Sequence, residues 1–389
     1  MIKMMPLKQV CSGIIDCPHE SPEWLSKGIP VIRNFNLVDG QIDMSDASYV
    51  DESTYTKRTR RAVPSAGDII FSREAPIGNC AIVPADFKCC LGQRLVLLRV
   101  NREICSPEYL LAALLSDFVK TQIFQVEKSG SIVSNFNISD LGDLIIPIID
   151  RQESVASVSD TLNKKLLINK NICAELEAMA KTLYDYWFTQ FDFPNAEGKP
   201  YRSSGGEMVW NDQLKREIPM GWVVTTMSAL TTVLTGKEDA NFSTPNGNYK
   251  FFTCAQEAIF CDTPAFSGHA VLIAGNGDFN VKHYTGDFNA YQRTYVLIPK
   301  EAKHYAVMYI AAQKRIQAFK QGSNGSIVKF ITKGDVESIP IILPDNDVYL
   351  DTLNRILEKI EHCERENNEL TKLRDWLLPM LMNGQATVE

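Results

Sequence analysis

The sequence predicts an α+β protein built from one unit written twice. Each copy is a strand-rich globular domain followed by a long helix, and the two helices form an antiparallel coiled coil about an internal pseudo-two-fold. Three observations carry this reading. The tetrapeptide GSIV stands at residues 130–133 and again at 325–328 of 389, and its neighbours recur in order: Gln93-Arg94 as Gln292-Arg293, LIIPI as SIPII, and DTLN at Asp160 and Asp351. The offset drifts only from 199 (93 to 292) to 191 (160 to 351), which is too long for a solenoid and long enough for a duplicated domain. Short β-type runs fill each globular part, and seven-residue apolar repeats fill each long helix.

Residues 1–148 form the first domain. Its runs IPVIRNF, GDIIFSRE, CAIVPADF and LVLLRV are punctuated by Gly, Pro and Asp, and a helix is expected over 107–124. Residues 149–190 form the first long helix, which has neither Gly nor Pro between 151 and 188. Its repeat places Val155, Leu162, Asn169, Leu176 and Leu183 on one line, and Val158, Lys165, Ile172, Met179 and Tyr186 on the other. Residues 191–221, dense in Gly, Pro, Ser and Asn, are expected as a linker. Residues 222–345 form the second domain, with strands in NYKFFT, AVLIAG and RTYVLIP.

Residues 346–382 form the second helix, with Leu353, Ile360, Asn367, Arg374 and Leu381 on one line and Ile356, Cys363, Leu370 and Leu377 on the other. Pro379 is expected to end it before Leu381, and 383–389 form a tail. The residues expected to pair the helices are Leu162, Asn169, Ile172, Leu176 and Leu183 with Leu353, Ile360, Asn367, Leu370 and Leu377. One Asn in each seam restricts the register, because its amide needs a partner. The competing arrangement packs each helix only on its own domain.

Composition narrows the function. No run approaches the roughly 18 apolar residues of a membrane span, and the N-terminus lacks an apolar signal core, so a cytoplasmic address without membrane contact is expected. The ten cysteines are scattered without CxxC spacing, which argues against a metal site or a disulfide framework. No nucleophile, base and orienter stand at recognisable spacing, so no catalytic residue is expected. The formal charge of −7 means that any nucleic-acid contact relies on local basic residues, with other subunits sharing the electrostatic work.

Two similar heads on a rod suit a two-part target, and equivalent faces of duplex DNA return after about 34 Å. The stretches GDIIFSREAPIGNCAIVP, the IPI leading into the first long helix, LYDYWFTQFDFPNAEGKPYRSSGGEMVWNDQLKREIPMGW and FNAYQRTYVL together resemble the specificity subunits of type I restriction-modification systems, across essentially the whole chain. The resemblance implies two target recognition domains, an asymmetric bipartite duplex target, and a spacer set by the helices. It also implies two modification subunits that methylate adenine with S-adenosylmethionine, and two restriction subunits that use ATP and Mg. No cofactor is expected in this chain, which has neither an (N/D)PP(Y/F) tetrapeptide nor a GxxxxGK(S/T) loop. The alternative is a two-headed scaffold that does not bind DNA.

The candidate DNA contacts start from the basic run Lys57, Arg58, Arg60 and Arg61, which either meets phosphates and guanine edges or is solvated surface. Ser72 and Arg73 end a strand at a turn. Gln93, Arg94, Gln292 and Arg293 are common to both heads, so they hold a phosphate or brace the fold. Ser129, Ser131, Asn324 and Ser326 flank or lie in the repeated GSIV loop, whose amides suit a phosphate. Discrimination is expected from what differs between the heads, with Asn276, Lys282, His283 and Tyr284 in a turn-rich stretch of the second.

Overall fold

The structure is a computed structural model that describes residues 2–74, 76–129, 136–277, 279–322, 330–383 and 385–386, without side chains at 126–129 and 321–322. The chain divides into two compact units. Unit 1 holds Met1–Lys170 with Glu366–Glu389, and unit 2 holds Asn171–Arg365.

In unit 1 the entry strand Lys3–Pro6 pairs antiparallel with Ile145–Ile148, tying the start of the head to its exit. A four-stranded sheet runs in the order Cys11–Asp16, Leu95–Val100, Ile69–Ser72, Cys80–Ile82. Beside it, Ile29–Ile32 pairs antiparallel with Ser48–Val50 and parallel with Cys90–Leu91. The helix expected over 107–124 is two helices, Pro107–Leu115 and Asp117–Ser129. The break falls at Ser116, whose hydroxyl donates to the Ala113 carbonyl at 2.6 Å and so competes with helix continuation.

Unit 2 repeats this topology. Val223–Thr226 pairs with Pro340–Leu343, and six strands follow in the order Thr231–Thr235, Thr294–Pro299, Phe266–Ala274, Val281–Ala290, Tyr249–Phe252, Ile259–Cys261. The long strand Val281–Ala290 does the work of two strands in unit 1. It pairs antiparallel with Phe266–Ala274, as Cys80–Ile82 does with Ile69–Ser72, and parallel with Tyr249–Phe252, as Cys90–Leu91 does with Ile29–Ile32. The stretch expected as turn-rich around 282–284 is therefore strand. Its alternation of β-branched, aromatic and polar residues outweighed the flanking Gly and Asn.

Residues 191–221 are more than a connection. They contain the hairpin Met208–Asn211 with Arg216–Pro219, and Phe191, Phe193 and Ile218 are buried with Trp222. Phe193 stacks on Trp222 and on Tyr201, each at 4.6 Å between ring centroids, so the aromatic residues within the stretch supply the burial that its Gly and Pro content conceals.

The first long helix spans Gln152–Tyr184 and runs on through a π-helical turn, Asp185–Thr189; the second spans Val348–Met382. Within unit 1 the Asn169 amide donates to Asn367 Oδ1 at 3.0 Å and to Glu366 Oε2 at 2.6 Å. Further toward the start of the first helix, Asn163 meets Arg374 at 3.3 Å, and Val155 and Ala156 share a core with Leu378 and Leu381. Falling numbers on one helix meet rising numbers on the other, so the pairing is antiparallel. Unit 2 shows the same sense: Cys173 Sγ approaches the Ile360 carbonyl at 3.7 Å, and Ala180 and Tyr184 share a core with Leu350 and Leu353.

The second helix has the expected seam, with Leu353, Ile360, Cys363 and Leu381 buried and Asn367, Leu370 and Leu377 half-buried. It continues through Pro379 to Met382, because so close to the end only one carbonyl, that of Asp375, loses its helical donor. The first helix keeps the period but shifts one line by a residue. Ser159, Asn163, Leu166 and Ala180 are buried, while Leu162, Ile172, Leu176 and Leu183 are half-buried and Lys165, Met179 and Tyr186 are exposed. Small and polar residues line this seam because they admit Arg374 and the Asn pair, and a count of apolar residues passes over them.

Candidate nucleic-acid interface

In each head several loops converge at one end, held by equivalent backbone bonds. In unit 1 the Arg73 N–H donates to the Arg94 carbonyl at 2.8 Å and Phe136 N–H donates to the Arg73 carbonyl at 3.1 Å. In unit 2 Gly275 N–H donates to the Arg293 carbonyl at 2.9 Å and Ile331 N–H donates to the Gly275 carbonyl at 2.8 Å. The shared Gln-Arg turn is thus a brace. It ties the hairpin turn to the segment that follows the GSIV tetrapeptide in sequence, and in unit 1 the Gln93 amide also donates to the His19 carbonyl and to Ser21 Oγ. In unit 2 Gln292 N–H plays the same part toward the Glu238 carbonyl at 2.8 Å.

Several expected contacts serve this frame instead of facing outward. Arg58 is buried at the end of the helix Glu52–Arg58 and donates to the carbonyls of Leu91, Glu20 and Pro18. A guanidinium has five N–H groups, and here they replace the water that the carbonyls of the loop at 18–20 would otherwise need. Ser72 is fully buried, its hydroxyl donating to the Glu74 carbonyl at 2.9 Å. Arg73 is buried between Asp16 (3.6 Å) and Glu74 (4.0 Å). Lys282 donates to the Thr253 carbonyl at 2.9 Å, and burial lowers its pKa. His283 is enclosed beside Glu361 and Tyr309, and Tyr284 packs on Phe252 with Lys250 over its ring.

What remains outward-facing is a shorter set. Lys57, Arg60 and Arg61 are exposed, although Arg61 leans on the Asp16 carbonyl at 3.3 Å. Arg94 is half-exposed with its Nε 3.2 Å from Glu74, and its φ of 69° tips it out of the strand line. Gln292 and Arg293 are exposed and Asn276 is half-buried in the second head's hairpin turn. Residues 130–133 and 325–328, and with them Ser131, Asn324 and Ser326, lie outside the described residues, as does the side chain of Ser129.

One group escaped the sequence reading. Arg33 lies 4.6 Å from the Phe35 ring centre and 5.2 Å from that of Trp24, and both aromatic rings are exposed. This exposed cation–aromatic cluster is a candidate contact surface, and the interleaving of Arg and Phe in IRNF is the signal that could have found it. Among the described residues no His, Cys, Asp and Glu group could hold a metal, and no helix is long and apolar enough to cross a membrane.

Comparison with known proteins places these features. The family described as type I restriction modification DNA specificity domain matches twice, over residues 3–178 and 219–372. The chain is 35% identical over 180 residues to the Escherichia coli type I restriction enzyme EcoDI specificity subunit, an alignment spanning 44% of this chain and 40% of that relative. It is 25% identical over 390 residues to a putative type I restriction enzyme MjaX specificity subunit of Methanocaldococcus jannaschii, covering 93% of this chain and 88% of the relative. The crystal structure of a type I restriction-modification S subunit from M. genitalium shares the fold with a TM-score of 0.52 at 15% identity, covering 97% and 95% of the two chains.

Proposed function

Because the chain belongs to the type I restriction-modification DNA specificity family, we propose that it is the sequence-reading, non-catalytic subunit of such a complex. The recognition domains are residues 1–148 and 222–345, each reading one half of an asymmetric bipartite duplex, with the spacer set by the paired helices. Two modification subunits methylate adenine on this guidance, and two restriction subunits act at a distance from it; S-adenosylmethionine, ATP and Mg belong to those partners. Met179 and Tyr186 on the first helix, and Leu373 and Trp376 on the second, are exposed apolar residues in comparable parts of the repeat, and they suit one modification subunit each.

The observation that carries the reading is a common frame with unlike fittings. The loop-bracing backbone bonds recur in both heads, whereas the outward groups differ: Arg33 with its two aromatic rings and Arg60 in the first, Asn276 in the second. A shared frame positions phosphate contacts, and unlike side chains specify unlike bases. Mapping methylated adenine in the host genome with and without the gene tests this. A two-part motif that disappears with the gene supports it, and an unchanged map refutes it.

A further inference from the structure

Each head has its own face on the helix pair, and the two faces are finished differently. Leu166, Asn368 and Thr371 of unit 1 correspond to Leu357, Glu177 and Ala180 of unit 2, each pair 191 positions apart like Asp160 and Asp351. In unit 1 this face is covered by the small hairpin of Leu37–Val38 with Gln41–Ile42, leaving a hollow of about 150 Å³ between Val38, Asp39, Gln41 and the helices. Two carboxylates of this segment pin it down: Asp39 lies 3.4 Å from Arg374, and Asp43 lies 2.6 Å from Lys170. Its backbone is anchored by the Asn79 amide, which donates to the Leu37 carbonyl at 3.2 Å.

In unit 2 residues 253–258 alone stand where unit 1 has 33–47, and the corresponding helix face opens into a cleft of about 630 Å³. Asn280 takes the place of Asn79: their carbonyls accept from the equivalent residues Ala274 and Ser72. Its amide donates to the Cys254 carbonyl at 2.8 Å, but its Oδ1 has no hydrogen-bond partner, although the residue is only 8% exposed and lines the cleft. Buried acceptors are rarely left so. The helix wall is small and apolar at Ala174 and Ala178, and Lys181, Lys314 and Lys320 lie round it with Glu177 as the only carboxylate among the described lining residues.

We propose that this cleft takes an extended acidic segment of a partner polypeptide, supplying in trans the cover that residues 37–42 give unit 1 in cis. A backbone N–H of the segment meets Asn280 Oδ1, small apolar side chains lie over Ala174 and Ala178, and a carboxylate meets Lys181. The favoured occupant is a peptide because the floor is apolar, and an apolar floor offers little to a nucleic-acid backbone, which binds chiefly through its charge.

The probe is a fluorescent synthetic peptide with the sequence of residues 36–43, NLVDGQID, titrated into the full chain and followed by anisotropy. Saturable binding is expected, at least about tenfold weaker with Ala178→Trp, which fills the cleft from an exposed position, and weakened also by Lys181→Glu and by the peptide NLVNGQIN. Thermal melting of each variant checks folding; if Ala178→Trp melts early, Lys181→Glu decides. Absence of saturable binding, binding indifferent to both substitutions, or displacement of the peptide from the cleft by inorganic polyphosphate overturns the proposal.

Discussion

Glu361 offers the sharpest test of how a head is fastened to its helices. Within unit 2 this carboxylate, 6% exposed on the second long helix, accepts from Tyr305 Oη at 2.7 Å, Thr285 Oγ1 at 3.0 Å and His283 Nδ1 at 3.2 Å. Glu361→Ala leaves three enclosed polar groups without their common acceptor. Breaking a buried charged cluster from one side costs about 3–5 kcal/mol, and the three bonds do not add independently. Glu361→Gln keeps one acceptor oxygen and the volume, and is expected to lose about half as much, since charge-assisted bonds are roughly twice as strong as neutral ones.

The pH dependence follows from the same geometry. Burial alone would raise the Glu361 pKa, but the bonds from His283, Tyr305 and Thr285 outweigh it and hold the pKa below the ordinary value. A depressed carboxylate stabilises the fold above its unfolded pKa, roughly 4.3, and that contribution is lost as pH falls through the folded value. Urea unfolding followed through buried Trp222 should therefore separate the wild-type chain from Glu361→Gln at neutral pH and bring them together as pH falls through the depressed folded-state pKa of Glu361. A loss under about 1 kcal/mol for Glu361→Ala, or a gap that widens in acid, refutes the reasoning.

Arg58→Ala should destabilise unit 1 by about 2–4 kcal/mol, because the carbonyls of Leu91, Glu20 and Pro18 lose a common donor. Arg60→Ala, in contrast, should leave urea stability within about 0.5 kcal/mol and lower the salt dependence of DNA binding by the complex by about one phosphate. Asn169→Leu should cost about 1–3 kcal/mol by stranding Asn367 Oδ1, and Asn169→Leu with Asn367→Leu should recover most of it, measured by urea unfolding of both.

The fold was legible in the sequence where a pattern is carried by apolar residues or by repetition. The twin GSIV and Gln-Arg matches gave the duplication, and runs such as LVLLRV and TYVLIP became strands in corresponding places of the two sheets. The seam of the first helix was legible in period but not in phase, since Ser159, Asn163 and Ala180 do not register as hydrophobic although all three are buried. The site was less legible because charge does not announce its direction. Arg58 and Arg60 are two residues apart in one basic run, and the helix ending at Arg58 turns the first inward and leaves the second in solvent. His283 and Tyr284 looked like loop residues until strand pairing placed them against Glu361 and Phe252.

The proposal that the paired helices set the spacer is tested most directly by lengthening them. Seven residues inserted in each long helix, after Lys170 and after Arg365 where the two units divide, add about 10 Å at 1.5 Å per residue, or about three base pairs. Mapping methylated adenine in a strain carrying that variant should show both half-sites unchanged and the spacer longer by about three base pairs. Altered half-sites at the original spacing would contradict the account.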